Sequence, residues 1–337
     1  MIDPTLPFID LHRHLDGSIR LETILEVGLK HNLPLPGKTL ETLRPHVQVT
    51  EPQPGLLAFL DKFEWLTGIL VDYDTCRRIA YENMEDAQRE GIDYLELRFS
   101  PYFMAEPHGL SAEGVVEATL DGVRAGIRDF GVKANLIGII SRTYGAEIGY
   151  KELDALLSHR DAFVALDLAG DEINYPAGLF VDHFKQGRDA GWAISVHAGE
   201  AAGAASMWAA INQLGATRIG HGTRILDDPT LVEYVRKHEI GIEANLTSNV
   251  QTSTVPSYAA HPFKEMLAAG LLATLNSDDP GISNIDLPYE FNIAAPQSRL
   301  TADDTRQAQQ NALTLAFLSE ADKTQLVEEK RAVRKNE

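Results

Sequence analysis

Ile9-Asp10-Leu11-His12-Arg13-His14-Leu15-Asp16-Gly17 is a short apolar run carrying two histidines two residues apart. Read as a strand, it turns positions i and i+2 to one face, so His12 and His14 aim at the same spot. Imidazole is the commonest protein metal ligand, and a pair on a rigid strand end is half of a divalent transition-metal site. A surface strand with two unrelated histidines is the plainer alternative, since short motifs also match by accident. The reading decides the fold as well, because it makes this stretch the first strand of a series.

Outward from it, helical texture comes first. Leu21 to His31 has helical apolar spacing, Leu33-Pro34-Leu35-Pro36-Gly37 breaks it, and Pro52 to Leu70 and Asp74 to Glu90 read as two further amphipathic helices. This segment is expected to be an insertion covering one end of the fold. From there strands and helices alternate. Strand-like runs fall at Asp93–Phe99, Ala134–Ile140, Ala162–Leu168, Ala193–Val196, Arg218–Gly220, Gly241–Leu246 and Leu271–Asn276. Helical runs between them fall at Ala112–Phe130, Ala146–Ser158, Leu179–Ala190, Ala204–Leu214, Pro229–Lys237 and Pro262–Ala269.

Alternation implies parallel pairing, and eight such strands imply a closed (β/α)8 barrel, a TIM barrel, with its site at the carboxyl ends of the strands. A doubly wound open sheet is the alternative, but no Gly-x-Gly-x-x-Gly turn follows the first strand. No linker-like shift divides the 337 residues, so one barrel domain is expected over 1–337, with helices added after strand one and at the C-terminus. Beyond Leu300 one or two helices should lead into a charged, frayed end from Glu328 to Glu337.

Composition narrows the chemistry. Lys+Arg number 30 against 49 Asp+Glu, a net charge of −19 that repels a phosphate backbone, so no nucleic-acid partner is expected. No run is apolar enough to cross a bilayer and Met1-Ile2-Asp3-Pro4 does not resemble a secretion signal, so no membrane partner and a cytoplasmic location are expected. Cys76 is the only cysteine, which excludes a disulfide and any Cys-x-x-Cys zinc site. A metal must be held by His, Asp or Glu.

Read together, the strand ends form a set: His12 and His14 on the first, His197 on the fifth, His221 on the sixth, Asp278 and Asp279 on the eighth. In a barrel these converge on one mouth. Three imidazoles and a carboxylate there suit Zn²⁺ or a similar ion with a position left for water, hence metal-activated hydrolysis. For any one member, a hydrogen-bonded core histidine is the plainer account; for six at one mouth it is not. Glu200, three residues after His197, could donate a proton if burial raises its pKa, or could cap the helix starting near Ala204. Asp278-Asp279-Pro280-Gly281 could be an ordinary turn, which explains Pro280 and Gly281 better than two adjacent acids. Asp227-Asp228-Pro229, by contrast, is fully explained as a helix cap.

Six motifs in order, His12-Arg13-His14-Leu15-Asp16-Gly17, Leu95-Glu96-Leu97-Arg98-Phe99-Ser100-Pro101, Asp167-Leu168-Ala169-Gly170-Asp171-Glu172, His197-Ala198-Gly199-Glu200, Ile219-Gly220-His221-Gly222 and Ser277-Asp278-Asp279-Pro280, resemble those of the adenosine deaminases, within the amidohydrolase superfamily. The resemblance runs from near Ile2 to past Ala316. It implies a barrel holding one Zn²⁺ per chain that hydrolyses adenosine, and 2′-deoxyadenosine, to the inosine form plus ammonia, as in purine salvage. It implies His12, His14, His197 and Asp278 as metal ligands and Glu200, His221 and Asp278 as catalytic residues. Glu200 would protonate N1, His221 would orient the attacking water and Asp278 would help take its proton. His14, Asp16, Gly170 and Asp279 would contact the nucleoside, with Asp16 on a ribose hydroxyl, the Gly170 N–H on N3 and Asp279 on N7. The related adenine deaminases carry Glu in the His-Leu-Glu-Gly version of the first motif, so Asp16 favours the nucleoside over the free base. Asn245 departs from the family's expected Cys and bears on fine specificity. Arg98 and Arg142 could grip a phosphate, but ion pairs with nearby acids account for them better.

A ligand-binding protein without catalysis, and a two-metal hydrolase of the same superfamily, are the remaining alternatives. The first is disfavoured because every proposed chemical residue is present. The second would need a bridging Lys at the end of strand four, where Asp167-Leu168-Ala169-Gly170 stands instead.

Overall fold

Strands buried on both faces read as continuous apolar runs, and the computed structural model, which describes residues 1–334, pairs eight of them in parallel. They are β1 Ile9–His14, β2 Tyr94–Phe99, β3 Lys133–Ser141, β4 Phe163–Ala169, β5 Ala193–Ala198, β6 Arg218–His221, β7 Gly241–Ala244 and β8 Ala273–Leu275. Their spatial order is their sequence order. The ring closes through Asp278, whose N–H donates to the His12 carbonyl while its carbonyl accepts from the His14 N–H, both at 2.8 Å. The expected eight-stranded barrel is present.

Its interior is unusually charged. Arg98 donates to Asp167 and Glu243 at 2.7 Å each, and Arg218 pairs with Glu96 and Glu243, all of them buried. Removing one partner from such a lattice leaves an uncompensated buried charge, so it fixes the strand register beneath the mouth. Arg98 is therefore a structural ion pair, as expected. Arg142 is not: its guanidinium donates to the carbonyls of Leu168 and His197, tying the ends of β4 and β5, and pairs with no acid among the described residues.

Several boundaries differ from those the apolar spacing predicts. The helix expected over Pro52–Leu70 is two short helices, α3 Leu56–Leu60 and α4 Phe63–Thr67. They follow α1 Leu21–Lys30 and an unanticipated α2 Leu40–Val47, which starts at a Thr39–Thr42 capping box. The insertion ends with α5 Tyr73–Glu90. The strand expected to reach Leu246 stops at Ala244 and gives way to a helix over Leu246–Gln251. After Ala302–Leu315, the last helix Glu320–Arg334 is continuous across the region expected to fray, whose final residues 335–337 lie outside the described residues. No helix among the described residues is long and apolar enough to cross a membrane.

Candidate metal centre and pocket

β1 delivers His12 and His14 side by side, as the i, i+2 spacing requires, and β5 brings His197 against them. The His14 Nε2 lies 3.3 Å from that of His12 and 3.1 Å from that of His197. Asp278 Oδ1 completes the group, 3.1 Å from His12 Nε2 and 3.5 Å from His14 Nε2. Four donors bound tetrahedrally to one ion at about 2.0–2.1 Å would stand about 3.3 Å apart. The observed spacings bracket that value.

The other nitrogens explain why these Nε2 atoms are free to meet. His12 Nδ1 lies 2.7 Å from Glu243 and His197 Nδ1 3.0 Å from Asp167. A carboxylate there keeps the proton on Nδ1 and leaves a lone pair on Nε2, the usual carboxylate–histidine–metal arrangement. Lone pairs in contact repel unless a cation lies between them. Charge agrees: burial pulls the His14 pKa down, but Asp279, Asp16 and Asp278 together carry it up to about 9, a sign of surplus negative charge. The site therefore fits a divalent ion.

His221 also falls within reach of this cluster, but its Nε2 stands 3.9 Å from Asp278 and 3.6 Å from Glu200, on the pocket side. The Nδ1 faces inward, to Asn249 and Asn245. Both His221 (φ 64°) and Asp278 (φ 61°) hold left-handed backbone, which costs a residue with a side chain about 1–3 kcal/mol.

Glu200 is buried, and its pKa is driven well above the usual carboxylate value by burial first, then by the charges of Asp278, Glu172 and Asp279. It does not cap the following helix, whose N-cap is Gly203 without a side-chain bond. The carboxylate that binds the backbone here is Glu172, unassigned from sequence although it stood in a quoted motif. It accepts N–H bonds from Gly199 (2.6 Å), Glu200 (3.2 Å), Ala201 (2.8 Å) and Ala202 (2.9 Å), fixing the loop that presents Glu200. Asp228 caps Pro229–Lys237 as expected, through Thr230 and Leu231.

The mouth opens into a pocket of about 810 Å³, its open end included. Leu56, Phe59, Leu60 and Phe63 from the insertion form an apolar wall opposite His14, Asp16, Gly170, Glu200, His221 and Asp279. Asp16 Oδ1 and Asp279 Oδ1 are buried without a hydrogen-bond partner among the described residues. Buried unpaired acceptors in a pocket mark where ligand groups are missing. Two glycines of the motifs are needed for space: a Cβ on Gly17 would collide with the Asp279 carboxylate, and one on Gly220 would crowd the His12 ring at 2.9 Å. Asn245 does not line this pocket; it stands behind His221.

The supporting carboxylates Glu243 and Asp167 went unassigned from sequence. Their signal was present: each is a buried charged residue inside an otherwise apolar strand that is buried along nearly its whole length.

A family model described as adenosine deaminase matches residues 7–333. The chain belongs to the adenosine deaminase family. Among its relatives, the adenosine deaminase of Vibrio cholerae is 58% identical over 327 residues, covering 97% of this chain and 98% of that protein. That of Klebsiella pneumoniae is 56% identical over 328 residues at the same coverage. Among solved structures, an adenine deaminase from Arthrobacter aurescens superposes with a TM-score of 0.90 at 25% identity, covering 98% of this chain and 99% of that one. The family assignment and the barrel thus agree with the six-motif reading.

Proposed function

We propose that this enzyme is a zinc-dependent adenosine deaminase that hydrolyses adenosine and 2′-deoxyadenosine at C6, releasing ammonia. The observation that carries the reading is the meeting of three Nε2 atoms, those of His12 and His197 braced by carboxylates, with Asp278 at the floor of a pocket lined by Glu200, whose carboxyl burial pushes toward the protonated form. His12, His14, His197 and Asp278 would hold the ion, since an all-N/O donor set of four at these spacings suits zinc. Such an ion supplies Lewis-acid activation of water at neutral pH.

The chain's own groups do the rest. Glu200, kept protonated by burial and by its acidic neighbours, donates to N1 and so keeps negative charge off the ring during attack at C6. His221 Nε2, facing the space between Glu200 and Asp278, steadies the attacking oxygen, and Asp278 receives its proton. Gly170 offers its N–H to N3 and Asp279 bonds N7. Asp16, whose Oδ1 lies 3.7 Å from His14 Nδ1 and has no hydrogen-bond partner among the described residues, takes a ribose hydroxyl. That last contact separates nucleoside from free base, and the relatives at 56–58% identity are named for the nucleoside while the adenine deaminase stands at 25%. One barrel domain over 1–337, with a small nucleoside as substrate and neither nucleic acid nor membrane as partner, completes the proposal.

The test is a panel of adenosine, deoxyadenosine, adenine and AMP, read by ultraviolet absorbance and paired with metal analysis. Adenosine turnover with about one zinc per chain supports the reading. Metal-replete protein that ignores adenosine overturns it, and consumption of adenine instead puts the free-base activity in its place.

A further inference from the structure

A single hydrogen-bond chain runs from the backbone to the pocket through residues that no role above includes. The Phe263 N–H donates to His261 Nδ1 at 3.2 Å. A backbone amide can only donate, so His261 Nδ1 carries no proton. Burial holds the His261 pKa down to about 3, so the ring is neutral and its proton sits on Nε2. That Nε2 lies 3.1 Å from Asn249 Oδ1, which it can only donate to. The amide of Asn249 is thereby fixed in one of its two orientations, with Nδ2 turned to His221 Nδ1 at 2.9 Å. A second amide, Asn245 Nδ2, reaches the same His221 nitrogen at 3.3 Å. His221 Nδ1 must accept, and the ring's proton is on Nε2, facing Glu200 and Asp278.

We infer that Asn249 and His261 are positioning residues that lock His221 as its Nε2–H tautomer, so that it enters the reaction as a hydrogen-bond donor and not as a base. The inference rests on the deaminase reading for its catalytic meaning, but the lock exists with or without substrate. Every link is dictated by the one before it, starting from an atom with no choice of role. His261 and Asn249 are both fully buried, so water does not offer an alternative partner. A donor already aimed at the place where charge develops need not reorganise during attack. An Nε2 that bears a proton cannot take another, so His221 is excluded as the base that receives the attacking water's proton.

The experiment is nitrogen-15 NMR of histidine-labelled, zinc-loaded protein without substrate, with the His221 signals assigned by their loss in His221→Asn. The expected spectrum shows His221 and His261 each protonated on Nε2 and bare on Nδ1. In Asn249→Asp, a carboxylate oxygen faces His221 Nδ1, and a proton is expected to appear on that nitrogen. A wild-type His221 protonated on Nδ1, or an Asn249→Asp spectrum identical to wild type, overturns the proposal. Kinetics gives the second arm. His261→Gln keeps an acceptor for Phe263 and a donor for Asn249 and should hold kcat within about threefold; His261→Leu frees the Asn249 amide and should lower kcat about tenfold or more at little change in KM, on the scale of a misdirected transition-state donor. Equal kcat in the two variants overturns it. If His261→Leu does not fold, the Asn249→Asp spectrum decides. Absence of adenosine turnover in the wild type would refute the functional reading and leave the tautomer measurement standing on its own.

Discussion

Glu172→Gln tests whether the loop carrying Glu200 is held by one carboxylate. In the structure Oε2 of Glu172 accepts three N–H groups and Oε1 a fourth. Glutamine has one acceptor oxygen. Its best orientation keeps the three-donor side and turns an NH2 against the Gly199 N–H, losing one charge-assisted bond of about 1.5–3 kcal/mol. The other three bonds lose the charge that roughly doubles their strength. The combined loss is about 3–5 kcal/mol. Unfolding entropy for 337 residues is about 0.7 kcal/mol/K, so Tm should fall by about 4–7 °C. The loop also positions Glu200, the proposed proton donor, and a shift of about 1 Å there should lower kcat roughly a hundredfold with KM nearly unchanged. Calorimetry on zinc-loaded protein and spectrophotometric turnover of adenosine measure both. Wild-type Tm and kcat would refute the anchoring argument; a lowered Tm with intact kcat would refute its catalytic half.

Glu200→Gln removes the proton given to N1 and should reduce kcat by roughly 10²–10⁴, and wild-type activity should fall as pH rises through the raised Glu200 pKa, because the protonated form is the donor. Glu243→Gln weakens the brace on His12 and strands part of the Arg98 and Arg218 charge, so zinc affinity should drop about 10–100-fold in competition with a chelator and stability by about 3 kcal/mol or more. Glu152, bonded to Ser100 and to the Ser141 N–H, has its pKa raised to about 8, chiefly by burial. Folding therefore holds a proton that the unfolded chain releases above about pH 4.5, so stability should decline between about pH 5 and 8, on the order of 1 kcal/mol per unit, and Glu152→Gln should flatten that slope in urea titrations without loss of activity.

The barrel was legible because parallel strands buried on both faces leave a strong signal, and eight of them admit few arrangements. The convergence of the proposed ligands was legible for a related reason: strand ends are where a barrel gathers polar groups, so His12, His197 and Asp278 could be connected across the chain. Supporting residues were harder. Glu243 and Asp167 show as isolated charges in apolar strands, but nothing local says that one braces His12 and the other His197. Glu172 was hidden differently, since its partners are backbone N–H groups that no side-chain pattern announces. The α3–α4 break at Asp61–Lys62 was not legible, since Phe59 and Phe63 stand four residues apart and are both buried in the core, the spacing of one continuous helix.

Strain is the feature that sequence leaves out, and at Asp278 it can be separated from chemistry. Most of the non-glycine residues with left-handed backbone, such as Asn32, Glu239 and Arg299, end helices; His221 and Asp278 stand at strand ends facing the pocket. Asp278 closes the barrel with its backbone while its carboxylate meets His12 and His14, so the conformation is what lets one residue do both. Asp278→Ala and Asp278→Gly both delete the carboxylate and should both abolish turnover. They differ in strain. Glycine adopts φ 61° freely, whereas a Cβ there costs about 1 kcal/mol, so the chelated Gly variant should unfold later in denaturant than the chelated Ala variant by about that amount. Were alanine equal or better, the left-handed turn would not be stored strain, and closure of the barrel would have to be credited to the neighbouring strands instead.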